Sequence, residues 1–370
     1  MKEVNLKLFS VAGLIVLAIG AISCTDTKTH GEVTKLTDYL YEIYYTDFDD
    51  NLIAEYSDSS KAFLTLRGGC SSVRNGNFHG RNLDLFYNDM CETVVHMSKS
   101  ENRYASLAVC AGKAEITPMV LDHPTEFVLS KIPLCVMDGI NENHVVFNVN
   151  VVPGEDTAPI TGTNPEKENL SCAMAGRYIL NNATSAKHAV ELLQERNMLG
   201  SFGNYGLHYM ISDPKETYIV EFVDNKLVYY VGEPVCENNI MTNLFSTKLP
   251  EITPYASGVE RYALLQEHYS EGNTQEGMSQ LMQRVKYTKA YDTNTEPFWY
   301  SEYVGGNITN FTDKEEIMAS TGTQIEACKR HERDNTFWQT LNTSVYDIEN
   351  LTLHLFVQEN YDQPFDFKLE

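Results

Sequence analysis

Gly68-Gly69-Cys70-Ser71-Ser72-Val73-Arg74-Asn75-Gly76-Asn77-Phe78-His79-Gly80-Arg81-Asn82-Leu83-Asp84 reads as a hairpin. Asn75-Gly76 is a strong short-range hairpin signal, because a two-residue type I′ loop needs a positive φ at both central positions. With those two residues as the loop, Arg74 faces Asn77, Ser71 faces Gly80 and Cys70 lies opposite Arg81. Directly opposed residues share a face of the sheet with Cβ atoms about 5 Å apart, so this register delivers a guanidinium beside a thiol. A nearby permanent cation favours the thiolate, which is the nucleophile. Gly80, lacking a side chain, leaves room for another backbone or a substrate. A cysteine taken alone reads as a small buried residue. What sets Cys70 apart is the flexible, open peptide Gly68-Gly69 before it. Cleavage there would give Cys70 a free α-amine of ordinary pKa about 7.7 to 8.0, a base for its own thiol. Asp84 is one step out of parity with Arg81 and reaches the same place only if a strand bends or bulges.

Working outward, residues 1–24 read as a leader. Lys2 and Lys7 precede the apolar run Leu8 to Ile22, which is too short and one-sided for a comfortable membrane span. Ser23-Cys24 resembles a bacterial lipobox, in which the cysteine is lipidated; a plain secretory signal is the other reading. Either way export is expected, and a lipobox implies a cell-envelope protein, outer-membrane by preference, held to the membrane by its lipid alone. The polar run after Cys24 then reads as a tether.

With 42% hydrophobic and 21% charged residues in 370, the chain has an ordinary globular composition. Its net charge of −23 makes nucleic acid and anionic membrane surfaces poor partners. The cysteines show no CxxC pairing. Cys328 and His331 stand at C-x-x-H spacing without a second half, so neither a metal nor any other cofactor is expected.

Cys-Ser-Ser from Cys70, followed by His-Gly-Arg-Asn-Leu-Asp from His79 to Asp84, resembles the N-terminal-nucleophile (Ntn) hydrolases of the choloylglycine hydrolase group. That group includes bile salt hydrolases, penicillin V acylases, acid ceramidase and N-acylethanolamine acid amidase. Further motifs follow in the group's order: the turn Asp138-Gly139-Ile140-Asn141-Glu142, the hairpin Gly206 to Asp213 with Tyr218-Ile219-Val220-Glu221, then Met241-Thr242-Asn243 and Glu260-Arg261-Tyr262. The resemblance implies an α+β four-layer αββα sandwich. It makes Cys70 the nucleophile and, once the Gly69–Cys70 peptide is broken, its amine the general base. Arg81 would hold the thiolate, Asp84 the amine, Asn243 the oxyanion, and Arg261 the charge network around the new N-terminus. Bile salt hydrolases take a second oxyanion donor from an asparagine after the DG turn; here that position is Val151 in a gapless alignment, with Asn150 next to it. The length before Cys70 resembles the prosegment-bearing ceramidase and acylethanolamine branch.

The chain therefore divides into a leader (1–24), a tether and prosegment (25–69), and a catalytic domain (70–370). A helix over 36–56 is expected to pack beside the catalytic sheet and to stay bound after cleavage. Alternating apolar runs predict strands near 70–84, 105–115, 127–137, 144–152, 206–212, 217–223, 226–231, 341–347 and 351–359, with helices at 185–196, 259–269 and 274–285. His79 and His208 read as packing or hydrogen-bonding residues. Phe298, Trp299, Tyr300 and Tyr303 read as pocket wall or core. The expected activity is hydrolysis of a linear amide through a thioester on Cys70. The substrate is a small N-acyl amide: fatty acyl amide or N-acyl amino acid first, conjugated bile salt second, penicillin V third. A non-catalytic binding lipoprotein on the same fold is the reading from another class.

Overall fold

The computed structural model describes residues 31–57, 69–86, 91–111, 121–152, 161–162, 164–200, 206–237, 257–292, 299–304, 307–311 and 336–370. The chain enters on strands β1 (Thr34–Thr37) and β2 (Leu40–Tyr45) and the short helix α1 (Asn51–Tyr56). The hairpin follows as β3 (Gly69–Asn75) and β4 (Phe78–Phe86), then β5 (Glu92–Met97), β6 (Ser106–Ala111), helix α2 (Glu126–Leu129), β7 (Val136–Asn141) and β8 (Val146–Val152). Next come β9 (Asn169–Ser171), helices α3 (Ala175–Asn182) and α4 (Ala186–Gln194), and β10 (Asn197–Leu199). The meander β11 (Gly206–Ser212), β12 (Thr217–Val223) and β13 (Lys226–Val231) leads to β14 (Val235–Glu237), then helices α5 (Ser257–Glu267) and α6 (Gln275–Arg284). The chain closes on β15 (Tyr287–Asp292), β16 (Trp299–Val304), β17 (Asn307–Phe311), β18 (Thr336–Asp347), β19 (Thr352–Val357) and β20 (Phe365–Lys368).

Among the described residues two nine-stranded sheets form, beside the two-stranded pair of β9 and β10. The first runs β1-β2-β5-β6-β7-β8-β11-β12-β13. The second runs β14-β3-β4-β18-β15-β16-β17, with β19 and β20 added on β18. Helices α3 and α4 cover the outer face of the first sheet, packing on β7, β8 and β12, while α5 and α6 cover the second, packing on β14, β3, β4 and β18. The layers are helix, sheet, sheet, helix, and strand alternation decides what lies between the sheets. Val94, Val109, Ile140 and Val146 from the first sheet meet Tyr346, Leu353 and Leu355 from the second in one buried cluster. Residues in phase with them, including Glu92, Asp138, Asn148 and Asn150, therefore also face inward.

Three expectations fail for physical reasons. The helix over 36–56 is replaced by β1, β2 and only the last turns of helix, α1. Tyr41, Ile43 and Tyr45 on one face are each no more than 1% exposed while Tyr44 on the other is 48% exposed, and β2 pairs parallel to β5, so the period-two burial of a strand prevails over a helical one. The strand over 127–137 gives way to α2, where the Thr125 side chain caps the Val128 N–H, and to a 3₁₀ turn at Ile132–Leu134 around Pro133; strand begins only at Val136. The turn assigned to Asp138-Gly139-Ile140-Asn141-Glu142 is strand β7 as far as Asn141, and the reversal falls just beyond, with His144 at φ 63°. The helices at 185–196 and 274–285 form with the side chains of Ser185 and Thr274 as N-caps, bonding the N–H groups of His188 and Gly277.

Candidate active site

The hairpin forms with its register displaced by two residues from the expected one. Asn75 pairs with Phe78, Ser72 with Arg81, Cys70 with Leu83 and Gly69 with Asp84. Gly76, with φ at 57°, takes the first loop position, so the loop is Gly76-Asn77 rather than Asn75-Gly76. Because the slip is even, it preserves the facing of every side chain. Cys70 and Arg81 therefore still share the inner face, now as diagonal neighbours, and the long guanidinium spans the gap: Arg81 Nη2 donates to Cys70 Sγ at 3.3 Å. Val73, not Ser71, faces Gly80, and the space above Gly80 is filled by helix α6. A Cβ there would sit 2.7 Å from Met282 Cγ and 2.8 Å from Met278 Sδ.

Arg81 is fully buried and its charge is answered from the other sheet. Nη1 donates to Asp138 Oδ2 at 2.7 Å and Nη2 to the Val149 carbonyl at 3.1 Å. Asp138 in turn accepts from the Tyr346 hydroxyl at 2.5 Å. Sequence reasoning missed Asp138 and Tyr346. The signal was present in the quoted motif but was read as a turn, which takes Asp138 off the inner face of a strand. Burial pushes the Cys70 thiol up to about 11, and the Arg81 guanidinium is the strongest influence pulling it back. In the unbroken chain Cys70 is thus a shielded thiol, 2% exposed.

Asp84 lies on the other face of the hairpin, in phase with Gly69, where no side chain stands in the way. Helix α5 brings Arg261 to it: Arg261 Nη1 donates to Asp84 Oδ2, and Thr340 Oγ1 donates to Asp84 Oδ1 at 2.7 Å. Burial raises the Asp84 carboxyl above its ordinary range, against the pull of Arg261 and Thr340. The bulge that would carry Asp84 to the face of Arg81 is absent from the β3–β4 pairing, which runs regularly to Gly69 and Asp84; an irregularity lies instead on β18, where Thr340 pairs with Asp84 and Asn342 with Leu83, leaving Leu341 as the extra residue. The Gly69–Cys70 peptide is therefore flanked by Cys70–Arg81–Asp138 on the inner face and by Asp84–Arg261 on the helix side.

Asn150 faces inward, but its amide is engaged. Nδ2 donates to the Cys236 carbonyl at 2.8 Å and to Ser72 Oγ at 3.1 Å. His79 bridges Ser212 Oγ at 3.0 Å and Asn148 Oδ1 at 2.8 Å; burial lowers its pKa to about 4, which keeps the ring neutral. His208 Nε2 lies 3.6 Å from Cys236 Sγ, fully buried. Cys24, Asn243, Phe298, Cys328 and His331 lie outside the described residues, as do the side chains of Trp299, Tyr300 and Tyr303. A cleft of about 820 Å³ on the helix side of the first sheet, lined in part by Asp50, Tyr178, Arg196 and Asn197, shares no residue with the Cys70 cluster.

Two sheets between helical layers, with a cysteine one residue into an inner strand and an arginine against its sulfur, define an Ntn-hydrolase fold. The chain belongs to the acyl-coenzyme A:6-aminopenicillanic acid acyl-transferase family, whose pattern matches residues 73–297. It is an enzyme of carbon–nitrogen bonds in linear amides. Solved structures similar to it include a mutant of conjugated bile acid hydrolase from Clostridium perfringens, at 14% identity over 81% of this chain and 92% of that one, TM-score 0.41. Another variant of the same enzyme aligns at 14% identity over 82% and 92%, TM-score 0.42. Penicillin V acylase from Agrobacterium tumefaciens aligns at 16% identity over 80% and 84%, TM-score 0.40. No curated protein sequence matches the chain.

Proposed function

We propose that the chain is an exported cysteine hydrolase of N-acyl amides that becomes active when its Gly69–Cys70 peptide is broken. The observation that carries this reading is the 3.3 Å contact between Arg81 Nη2 and Cys70 Sγ at a peptide flanked on its other face by Asp84 and Arg261. The chemistry follows from those placements. The freed α-amine of Cys70, held by Asp84, takes the thiol proton, and the thiolate beside Arg81 attacks the amide carbonyl. The developing oxyanion needs donors, a role that falls to Asn243. The resulting ammonium returns its proton to the departing amine, and water then opens the thioester. The acyl group is a fatty acid or similar chain, with conjugated bile salts and penicillin V as the next candidates. Ser23-Cys24 supports export as a lipoprotein anchored in the cell envelope.

Intact-mass measurement with N-terminal sequencing tests the mechanism. The active protein is expected to contain a fragment beginning at Cys70, while Cys70→Ala stays a single inactive chain. Full activity from a chain continuous through Gly69 and Cys70 would refute the reading, and absence of any turnover would favour a binding lipoprotein. A screen of N-acylethanolamines, N-acyl amino acids, taurocholate and penicillin V ranks the substrates.

A further inference from the structure

Tyr346 comes from β18 and Asp138 from the opposite sheet, and both converge on the arginine that holds the Cys70 sulfur. Ser344 pairs with Arg81 and Tyr346 with His79, so Tyr346 is a diagonal neighbour of Arg81 on the inner face. Its side chain is fully buried in the cluster with Val109, Ile140 and Val146, which fixes where the hydroxyl points. That hydroxyl donates to Asp138 Oδ1 at 2.5 Å, and Arg81 Nη1 donates to Asp138 Oδ2 at 2.7 Å. The two oxygens of one carboxylate are thus divided between two donors from the other sheet.

A guanidinium and a carboxylate favour a two-pronged contact, in which two N–H groups meet two oxygens. For a carboxylate already on Nη1 the second prong can come only from Nη2, because Nε–H points along the other edge of the planar group. Nη2 is the nitrogen that lies 3.3 Å from Cys70 Sγ and 3.1 Å from the Val149 carbonyl. A two-pronged pair would therefore turn Nη2 away from the sulfur. Arg81 and Asp138 are both fully buried, where attraction between opposite charges is strongest, so something must hold the second oxygen back.

We propose that Tyr346 is a positioning residue for the nucleophile: by occupying Asp138 Oδ1 it blocks the two-pronged pair and leaves Arg81 Nη2 to the Cys70 sulfur. Tyr346 touches no substrate atom; it acts through Asp138 and Arg81. The other ionisable groups around this line are Asp84 on β4 and Arg261 on α5, which act on Cys70, with His79 on β4, Cys110 on β6 and Glu92 on β5 nearer the Arg81–Asp138 end. Burial keeps the His79 ring neutral and holds protons on Tyr346, Cys110 and Glu92 at pH 7, so Tyr346 retains the proton it donates. All of these groups are common to the variants compared below.

This rests on Cys70 as the nucleophile, and the test separates the two claims. In the purified full-length protein, the rate of Cys70 alkylation by iodoacetamide is followed against pH by peptide mass spectrometry, with kcat/KM measured in parallel. Tyr346→Phe keeps the ring and removes the blocking donor, so the Cys70 midpoint is expected to rise by about one pH unit, the low end of what a close opposite charge contributes, and kcat/KM at pH 7 to fall about tenfold. Asp138→Asn supplies the second arm. Its amide offers one acceptor oxygen, so no two-pronged pair can form, and adding Tyr346→Phe in that background is expected to leave the midpoint where Asp138→Asn alone puts it. An unchanged midpoint in folded Tyr346→Phe would overturn the proposal, and so would an equal shift in both backgrounds, the mark of a loosened core. If Asp138→Asn does not fold, a crystal structure of Tyr346→Phe decides: Nη2 moved onto Asp138 supports the proposal, and Nη2 still on the sulfur overturns it. Activity retained by Cys70→Ala would instead remove the nucleophile, while the alkylation midpoints still decide the positioning.

Discussion

Arg81 is where the greatest functional weight rests on one side chain, since it touches the sulfur, Asp138 and the Val149 carbonyl together. Arg81→Ala is expected to lower kcat/KM by about two decades or more, the scale of one lost transition-state electrostatic contact. The same change strands Asp138 as a buried charge, so circular dichroism must show an intact fold for the result to count. The pairing of Cys70 with Arg81 was legible because strand parity survives a two-residue slip; the partner Asp138 was not, since a DG dipeptide resembles a turn until the sheet around it is known. His79 gives a second test at this scale. Its pKa falls from 6.5 to about 4 through burial, so the unfolded chain binds the proton first. The associated stability is complete above pH 6.5 and is lost as pH falls through about 4, on the order of 3 kcal/mol in all. Urea titrations between pH 7 and pH 4 are expected to show this decline in wild type and a flatter one in His79→Gln; equal slopes would place the acid sensitivity elsewhere.

Helix α6 lies on β4 through Met278 and Met282 over Gly80, a contact that only a residue without Cβ permits. Because the obstructing atoms belong to flexible methionines, Gly80→Ala is expected to cost about 1 to 3 kcal/mol rather than to abolish folding. Met282→Ala should recover part of that loss in a double-mutant cycle, and strictly additive values would mean that the helix seats differently. Which elements could be read beforehand follows from their boundaries and faces. Helices α4 and α6 announce themselves by Ser185 and Thr274 at their N-caps and by one apolar stripe each. Helix α3 has no side-chain cap to mark its start, and seven of its eight residues, Arg177 and Asn181 among them, are buried, so its polar residues do not mark a solvent face. Strand β2 hid for another reason: Tyr41, Ile43 and Tyr45 alternate with Glu42 and Tyr44, but tyrosine serves the buried and the exposed face alike, which blurs the period. The slip at the hairpin tip is a matter of turn chemistry, since Gly76 satisfies either loop and the tertiary contacts of Arg81 select between them.

The layered architecture was legible in outline because the meander from β11 to β13, the hairpin and the two capped helix regions are local signals. The attachment of residues 34–45 to the first sheet is a long-range pairing and left none. The leader's reading yields its own test at this scale: the native protein is expected in the detergent phase of a Triton X-114 partition, and Cys24→Ser in the aqueous phase. Identical partitioning of the two would leave Ser23-Cys24 as an ordinary cleavage site. Strand β2 has a further consequence. It lies in the first sheet and β3 in the second, so a cut between Gly69 and Cys70 leaves one sheet assembled from two polypeptides. Unfolding then becomes dissociation as well. The melting midpoint of the cut protein should climb with its concentration, whereas that of the Cys70→Ala single chain should not. Reassembly would have to recruit Leu40, Tyr41, Ile43 and Tyr45 from free solution into a parallel pairing, in competition with aggregation. On cooling, the mature enzyme is therefore expected to regain its fold in a yield that depends on its concentration, while the uncut precursor refolds as one chain.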